Sequence, residues 1–418
     1  MAKQVKTNGP SKSLNEFGFS KISNVIDNLS KKSMIIVDNM NEERSYISTD
    51  VYTLNALLAK SILHGGVPKN RITIFAGEFA TGKSFILYNI MRNAQKEGYR
   101  ILFIDTEFSI DRVDFDSFGV DVSDSDKFQL VRCSKVEDIK NALVQIIEAL
   151  KELKDKGMDV SKTMIVIDSL GQLHSKKEMD DALKGDNKQD MTRAKVIKSM
   201  FRLITNDLGY LNIPLIATNH IYLTQDLFPQ TKQSGGEALN YTPSIVVYLS
   251  ASKLEDMDKD ELSLGSNGII VTARARKNRI AKPKKIKFKI SHDTGCNKFE
   301  GLDFWCTPEN FDKIGIAQVK QVVDKKTGEV TYENAGTKAR WYVKHLDKYL
   351  YPKNLFNGRV FTQEVLEAIE PIGVEYFRYS SWEEKQKIEE EMNKMYEQFE
   401  EDTDLEMDID NTADDLLK

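Results

Sequence analysis

Ile72-Thr73-Ile74-Phe75-Ala76-Gly77-Glu78-Phe79-Ala80-Thr81-Gly82-Lys83-Ser84 joins a short apolar strand to a glycine-bounded loop, and a helical stretch, Ser84–Gly98, follows at once. From Gly77 the residues fit G-x-x-x-x-G-K-[ST] in the strand-to-helix context that gives the pattern its meaning. The two glycines let backbone N–H groups wrap a phosphate, and the helix N-terminus adds partial positive charge. Lys83 is placed to reach the β- and γ-phosphates, and Ser84 to ligate magnesium. The bland alternative is an ordinary glycine turn, which does not call for the full pattern here. The stretch predicts a bound nucleoside triphosphate with Mg2+.

Outward from this loop, apolar strands are expected at Arg100–Asp105, Phe128–Val131, Thr163–Asp168, Pro214–Asn219 and Ile245–Leu249. Helical stretches at Val136–Lys154 and Met191–Leu208 separate several of them. Short apolar strands alternating with helices predict an α/β core with a mostly parallel sheet covered on both faces. After residue 250, Ile269–Ala275 and Ile286–Ile290 look like antiparallel edge strands. Two of the parallel strands end in acids. Asp168 can hold the magnesium's water shell beside Ser84, and Glu107, just past Asp105, can orient and deprotonate an attacking water. Either acid alone would more often be a cap; their joint position beside the phosphate loop favours chemistry.

The 418 residues divide into an N-terminal helix and strand arm (1–46), the core (47–309), a small mixed region (310–382) with a helix near Gln363–Ile369, and an acidic end (383–418). In the arm, residues 14–30 have helical spacing and Met34–Val37 reads as a strand; in the acidic end, Ile388, Met392, Tyr396 and Phe399 mark one helix face. That end holds fifteen acids against four lysines, a net −11, so the rest of a chain of net charge −5 carries +6. An acidic tail on a basic body goes with polyanion binding or with solubility alone. No apolar run is long enough to span a bilayer, so a membrane span is excluded and no membrane partner is expected. The N-terminus has no secretory pattern and Cys133, Cys296 and Cys306 form no metal or disulfide spacing, so a cytoplasmic protein with free thiols is expected.

Longer stretches carry a resemblance. Ile167-Asp168-Ser169-Leu170-Gly171, Ser175-Lys176-Lys177-Glu178, Asp181-Ala182-Leu183 and Asp190-Met191-Thr192-Arg193-Ala194-Lys195, followed by Asn212-Ile213-Pro214, Asn219-His220 and Thr224-Gln225, resemble the UvsX-type recombinases of T-even-type phages. More distantly the chain resembles bacterial RecA, over roughly Ile47 to Leu302. The resemblance implies a RecA-like ATPase core whose N-terminal arm makes the subunit–subunit contact. It implies an enzyme that uses ATP and Mg2+, forms helical filaments on single-stranded DNA, and promotes pairing and strand exchange with homologous duplex DNA. Phage recombination, recombination-dependent replication and repair in the infected host's cytoplasm follow from it, with a phage single-strand binding protein and a recombination mediator as partners. Asn219 and His220 match the pair that senses the γ-phosphate, with His220 coupling nucleotide to the next loop.

The same resemblance places two DNA loops at about Met179–Asp190 and Tyr222–Gly236, closed by Gly235 and Gly236. Tyr222 and Phe228 are suited to stack on bases. Arg193, Lys195, Lys198 and Arg202, on the helix that follows the first loop, are candidate phosphate contacts. Further on, Arg274, Arg276, Lys277, Arg279, Lys282, Lys284, Lys285, Lys287 and Lys289 occur with no acid between Glu261 and Asp293. Within this block Lys277 and Arg279 match the residues that cross a subunit interface to a neighbour's ATP, as an arginine finger does. Counting without gaps from Glu107 to Gly119, the family's base-stacking aromatic falls on Asp114, so either Arg112 or Phe115 substitutes or base stacking is weak, and nucleobase preference is less defined than phosphate binding. Competing readings are a hexameric RecA-fold helicase, a nucleotide kinase and a non-hydrolysing DNA-binding factor; the short segment before Gly77 argues against the first, chain length against the second, and retention of Lys83, Ser84, Glu107 and Asp168 against the third.

Overall fold

The computed structural model describes residues 45–108, 110, 112–185, 191–225, 228–253 and 268–395, with the side chains of 112–114 left aside. By contacts the chain divides into two units, Met1–Ser45 and Tyr46–Lys418. The expected helix at 14–30 and strand Met34–Val37 lie outside the described residues, as does the chain from 396 on.

The second unit is built on a nine-stranded sheet. In chain order its strands are β1 (Ile72–Gly77), β2 (Arg100–Asp105), β3 (Phe128–Arg132), β4 (Thr163–Asp168), β5 (Leu215–Asn219), β6 (Ile245–Lys253), β7 (Gly268–Asn278), β8 (Lys285–Ser291) and β9 (Gly295–Cys296). Across the sheet they run β9-β8-β7-β6-β1-β5-β4-β2-β3. The six strands from β6 to β3 are parallel to their neighbours, and β7, β8 and β9 continue as antiparallel partners. The expected mostly parallel α/β core is therefore present, with β6 and β7 longer than their apolar runs alone indicate.

Side chains alternate between two cores, as period 2 requires of a sheet covered on both faces. Phe75, Phe103, Met164 and Val166 join helices α1 (Tyr52–Ala59) and α2 (Lys83–Lys96), while Ile74, Ile104, Ile165 and Ile167 join α3 (Val136–Asp155) and α5 (Thr192–Leu211). Helix α5 buries Ile197, Met200, Phe201, Ile204, Leu208 and Leu211, the i, i+3, i+4, i+7 face, each worth about 1.5–3 kcal/mol relative to exposure. The region beyond residue 300 is tied into the first core through Trp305, Phe361 and α6 (Gln363–Phe377), which starts on a Thr362 cap and continues through Pro371. Past it, residues 382–395 form a helix that is exposed along nearly its whole length.

Two expected loops are partly regular. Lys176–Leu183 is a helix (α4), because Ser175 and Glu178 close a reciprocal capping box ahead of it. Ile221–Leu223 pairs antiparallel with Thr231–Gln233, so the second loop is a hairpin rooted directly in β5.

Candidate functional site

The C-terminal ends of β1, β5, β4 and β2 lie level, with Ala76 opposite Asn219 and Asp105 opposite Asp168. A cavity of about 790 Å³ opens above them. Glu78–Ser84 forms its floor, and the loop's two glycines, Gly77 and Gly82, are sterically required. A Cβ on Gly77 would lie 2.5 Å from Thr81 Oγ1, and one on Gly82, whose φ is 81°, would lie 2.5 Å from Ile290 Cδ1. Ala80 also adopts positive φ, at 58°. Thr81 Oγ1 donates to the Glu78 carbonyl at 2.9 Å and braces the loop from inside. Phe79 projects from the lip, 92% exposed. Lys83 Nζ donates to the carbonyls of Gly77 and Glu78 at 3.1 and 2.6 Å. Burial lowers its pKa, while Asp168 and Glu107 pull in the opposite direction.

Asp168 is buried, with its Oδ2 accepting from Ser84 Oγ at 3.4 Å and its Oδ1 from Thr218 Oγ1. Burial raises its pKa, and the nearby Glu107 adds to the rise. The neighbouring acid, Asp105, is fully buried and spends one oxygen on the backbone N–H groups of Glu107 and Phe108, at 3.0 and 2.8 Å. Thr106 Oγ1 donates to the Ser169 carbonyl at 2.7 Å and accepts from the Ser169 N–H at 2.8 Å, which locks the β2 and β4 ends together. Glu107 Oε1 accepts from Ser169 Oγ at 2.7 Å and from His220 Nε2 at 3.2 Å. The His220 hydrogen bond is the largest cause holding the Glu107 carboxyl below its ordinary range, with Ser169 and Lys83 adding to it against burial. Glu107 is thus ionised at neutral pH and faces the cavity.

Ser84 and Asp168 offer a hydroxyl and a carboxylate, the hard oxygen donors magnesium takes alongside phosphate oxygens and water. The donor set fits that ion. Among the described residues no cluster of three or more His, Cys, Asp or Glu side chains competes as a metal site.

His220 belongs to the cavity wall, but Asn219 does not. The Asn219 amide donates to Gln233 Oε1 and the Ser234 carbonyl at 3.1 and 2.9 Å, and its oxygen accepts from the His220 N–H at 2.9 Å. Arg193 is also turned inward. Its guanidinium donates to the Leu173 carbonyl at 3.1 Å and to Ser234 Oγ at 2.9 Å, so it ties the segment after β4 to the hairpin's return strand. Gly235 and Gly236 (φ 92° and 90°) press on α5, where a Cβ on Gly236 would lie 2.8 Å from Ala194 Cβ. In contrast, Lys195, Lys198 and Arg202 line one exposed face of α5, and Tyr222 and Phe228 are 52% and 79% exposed.

Lys277 and Arg279 are remote from their own cavity. Leu249 pairs with both Gly77 and Ala273, and Lys277 is four residues further down β7, about 13 Å at ~3.3 Å per residue. Both cations donate to the Tyr241 carbonyl. Burial and the adjacent Arg279 lower the Lys277 pKa to about 8. For the nucleobase, Phe115 is ruled out by packing. It is 2% exposed and wedged among Tyr88, Phe103 and Phe128. The Arg112 side chain is outside the described residues. Sequence reasoning missed Thr106, Ser169 and Thr218 as braces, and Gly171, where a Cβ would lie 2.4 Å from His220 Cδ2.

Residues 19–297, about two thirds of the chain, match the RecA N-terminal domain family. The chain belongs to the RecA family. It is 29% identical over 310 residues to the recombination and repair protein of Enterobacteria phage T4, covering 71% of this chain and 73% of that protein. Two bacterial RecA proteins are also similar. That of Fusobacterium nucleatum is 28% identical over 237 residues (56% of this chain, 57% of the relative), and that of Clostridium novyi 29% over 257 residues (60% and 67%). RecA-family membership agrees with the sheet order and with the phosphate loop at the C-terminal end of β1.

Proposed function

We infer that this RecA-family chain is a DNA-dependent ATPase and recombinase. It assembles as a helical filament on single-stranded DNA and drives pairing and strand exchange with homologous duplex DNA. Recombination, recombination-dependent replication and repair of a phage genome in the host cytoplasm form its setting, beside a single-strand binding protein and a mediator. No helix among the described residues is long and apolar enough to cross a membrane.

The observation that carries this reading is the contact between Glu107 and His220. It joins a water-orienting carboxylate in the phosphate cavity to the root of a hairpin that displays Tyr222 and Phe228. Exposed aromatics of this kind stack on bases without reading their order. Lys83 would neutralise phosphate charge, and Ser84 and Asp168 would hold magnesium, which would supply further charge neutralisation. Glu107 aligns water through an oxygen already shared with Ser169 and His220. A change in the load on Glu107 is passed to His220, and through Asn219 and Gln233 to both strands of the hairpin.

Two features support assembly. Lys277 and Arg279 are too far from their own phosphate loop to act on it, which suits cations that serve a neighbour's site. At the other end of the sheet β3 is the last strand among the described residues, with Leu130 and Val131 41% and 38% exposed. Such an edge accepts an added strand, and Met34–Val37 of an adjacent copy has the composition for one.

Electron microscopy of the full chain with ATP, Mg2+ and single-stranded DNA tests the reading. Helical filaments are expected, and Glu107→Gln should keep them while slowing turnover. Closed rings or dispersed particles would overturn it.

A further inference from the structure

A second cavity, about 310 Å³, opens where β8 meets the end of α6. Phe304, Trp305, Tyr376 and Phe377 wall it as one aromatic cluster, with Phe304 5.5 Å from Trp305 and 5.1 Å from Tyr376, and Tyr376 5.0 Å from Phe377. Phe304 is nevertheless 56% exposed, an open face on an otherwise packed cluster. Trp305 is 3% exposed, its ring packed into the cluster. Lys285 and Lys287 line the mouth, and Lys284 Nζ sits 4.4 Å above the Tyr376 ring. One acid also lines it, Asp303, whose carboxyl burial pushes toward the neutral form and Lys289 pulls back. The site therefore offers an apolar cleft and a rim of net positive charge.

Such a cleft fits an apolar side chain carried on an acidic peptide, with its carboxylates at the lysine rim. The chain supplies one. Residues 396–418 hold ten acids against one lysine, with Phe399, Leu405, Met407, Ile409, Leu416 and Leu417 among them. Leu405, Met407 and Ile409 alternate with acids, so one side of an extended segment is apolar and the other anionic. The route out also begins at the cavity. α6 ends at Phe377, a wall residue, and Arg378 then pairs with Glu384 at 2.5 Å, while Glu384 and Ser381 cap the helix at 382–395. That helix is about 21 Å long at ~1.5 Å per residue, and the segment beyond it spans up to about 75 Å when extended. Reach is no obstacle.

We propose that this aromatic cavity seats the chain's own acidic C-terminal segment, 396–418, with an apolar side chain in the cleft and carboxylates among Lys284, Lys285 and Lys287. The docking is independent of the nucleotide site.

Photo-cross-linking of the full chain tests it. A benzophenone amino acid is placed in turn at Phe399, Leu405, Ile409 and Leu416, and products are mapped by mass spectrometry. At least one position should cross-link within the chain to 303–305 or 376–377. Lys285→Glu with Lys287→Glu should cut that yield by about tenfold, well within what like-charge juxtaposition costs; Lys285→Arg with Lys287→Arg should restore it. Both lysines are exposed, so these variants retain the fold. Cross-links confined to the Lys195, Lys198 and Arg202 face, an unchanged yield after charge reversal, or products only between isotopically distinct copies would each overturn the proposal.

Discussion

One methyl group on Gly171 breaks the contact on which the coupling rests. A Cβ there lies 2.4 Å from His220 Cδ2, 3.2 Å from Cγ and 3.3 Å from Cβ. Carbon atoms rest at ~3.5–4.0 Å, so in Gly171→Ala the imidazole must retreat by about 1 Å. The Glu107–His220 bond, 3.2 Å long, does not survive that shift. A hydrogen bond to a charged group contributes ~1.5–3 kcal/mol, and each ~1.4 kcal/mol is a factor of ten in rate. The expected outcome is a kcat for DNA-stimulated ATP hydrolysis lower by ~10–100-fold, with KM for ATP nearly unchanged, because Lys83 and Ser84 are untouched. Overpacking also costs ~1–3 kcal/mol of stability, so the assay runs well below the melting temperature of the variant. A second background isolates the cause. In His220→Ala the ring is gone and the methyl has room, so the double variant should match His220→Ala alone, the non-additivity expected of two residues in contact. Wild-type turnover in Gly171→Ala, or a double variant tenfold slower than His220→Ala, would refute the reasoning.

Glu107→Gln should lower kcat with little change in KM or in nucleotide binding by equilibrium titration, since water orientation acts in the transition state. Lys277→Ala with Arg279→Ala should abolish DNA-stimulated hydrolysis yet leave nucleotide binding intact, and mixing this variant with Lys83→Ala should recover part of the activity through interfaces that hold one complete site. Phe228→Ala should weaken single-strand binding by ~1–3 kcal/mol in a fluorescence titration if its exposed ring stacks on a base. Because the Lys277 pKa lies near 8, DNA-stimulated hydrolysis should decline as pH rises through 8, and Lys277→Arg should flatten that decline. Folding responds with the opposite sign. A lysine whose folded pKa is depressed is more protonated when unfolded, so its contribution to stability rises over the same window in a thermal-melt series.

The phosphate loop is legible in sequence because strand, loop and helix are contiguous, and every residue that shapes the floor falls within a dozen positions. The sheet is legible for a related reason: buried parallel strands are short apolar runs, and their terminal acids mark which end faces the cavity. Arg193 and Phe115 are different. A basic residue on a helix face and an aromatic near an expected position each have the right chemistry, and only packing decides their use. Arg193 is spent on Leu173 and Ser234, and Phe115 on Tyr88, Phe103 and Phe128. The capping pair Ser175 and Glu178, by contrast, is a local signal that outweighs the polar look of Lys176–Leu183. Gly171 shows why the remainder stays hidden: its constraint comes from His220, forty-nine positions away, and a glycine in sequence carries no mark of the side chain that needs its space. The proposed coupling is distributed in the same way. Asn219 and Gln233 hold the two strands of the hairpin, Arg193 and Gly236 fix its return to α5, and Gly171 seats the imidazole that reaches Glu107. Each residue has a bland reading alone; because all of them bear on one hairpin root, a perturbation at any of them should reach hydrolysis through the orientation of His220.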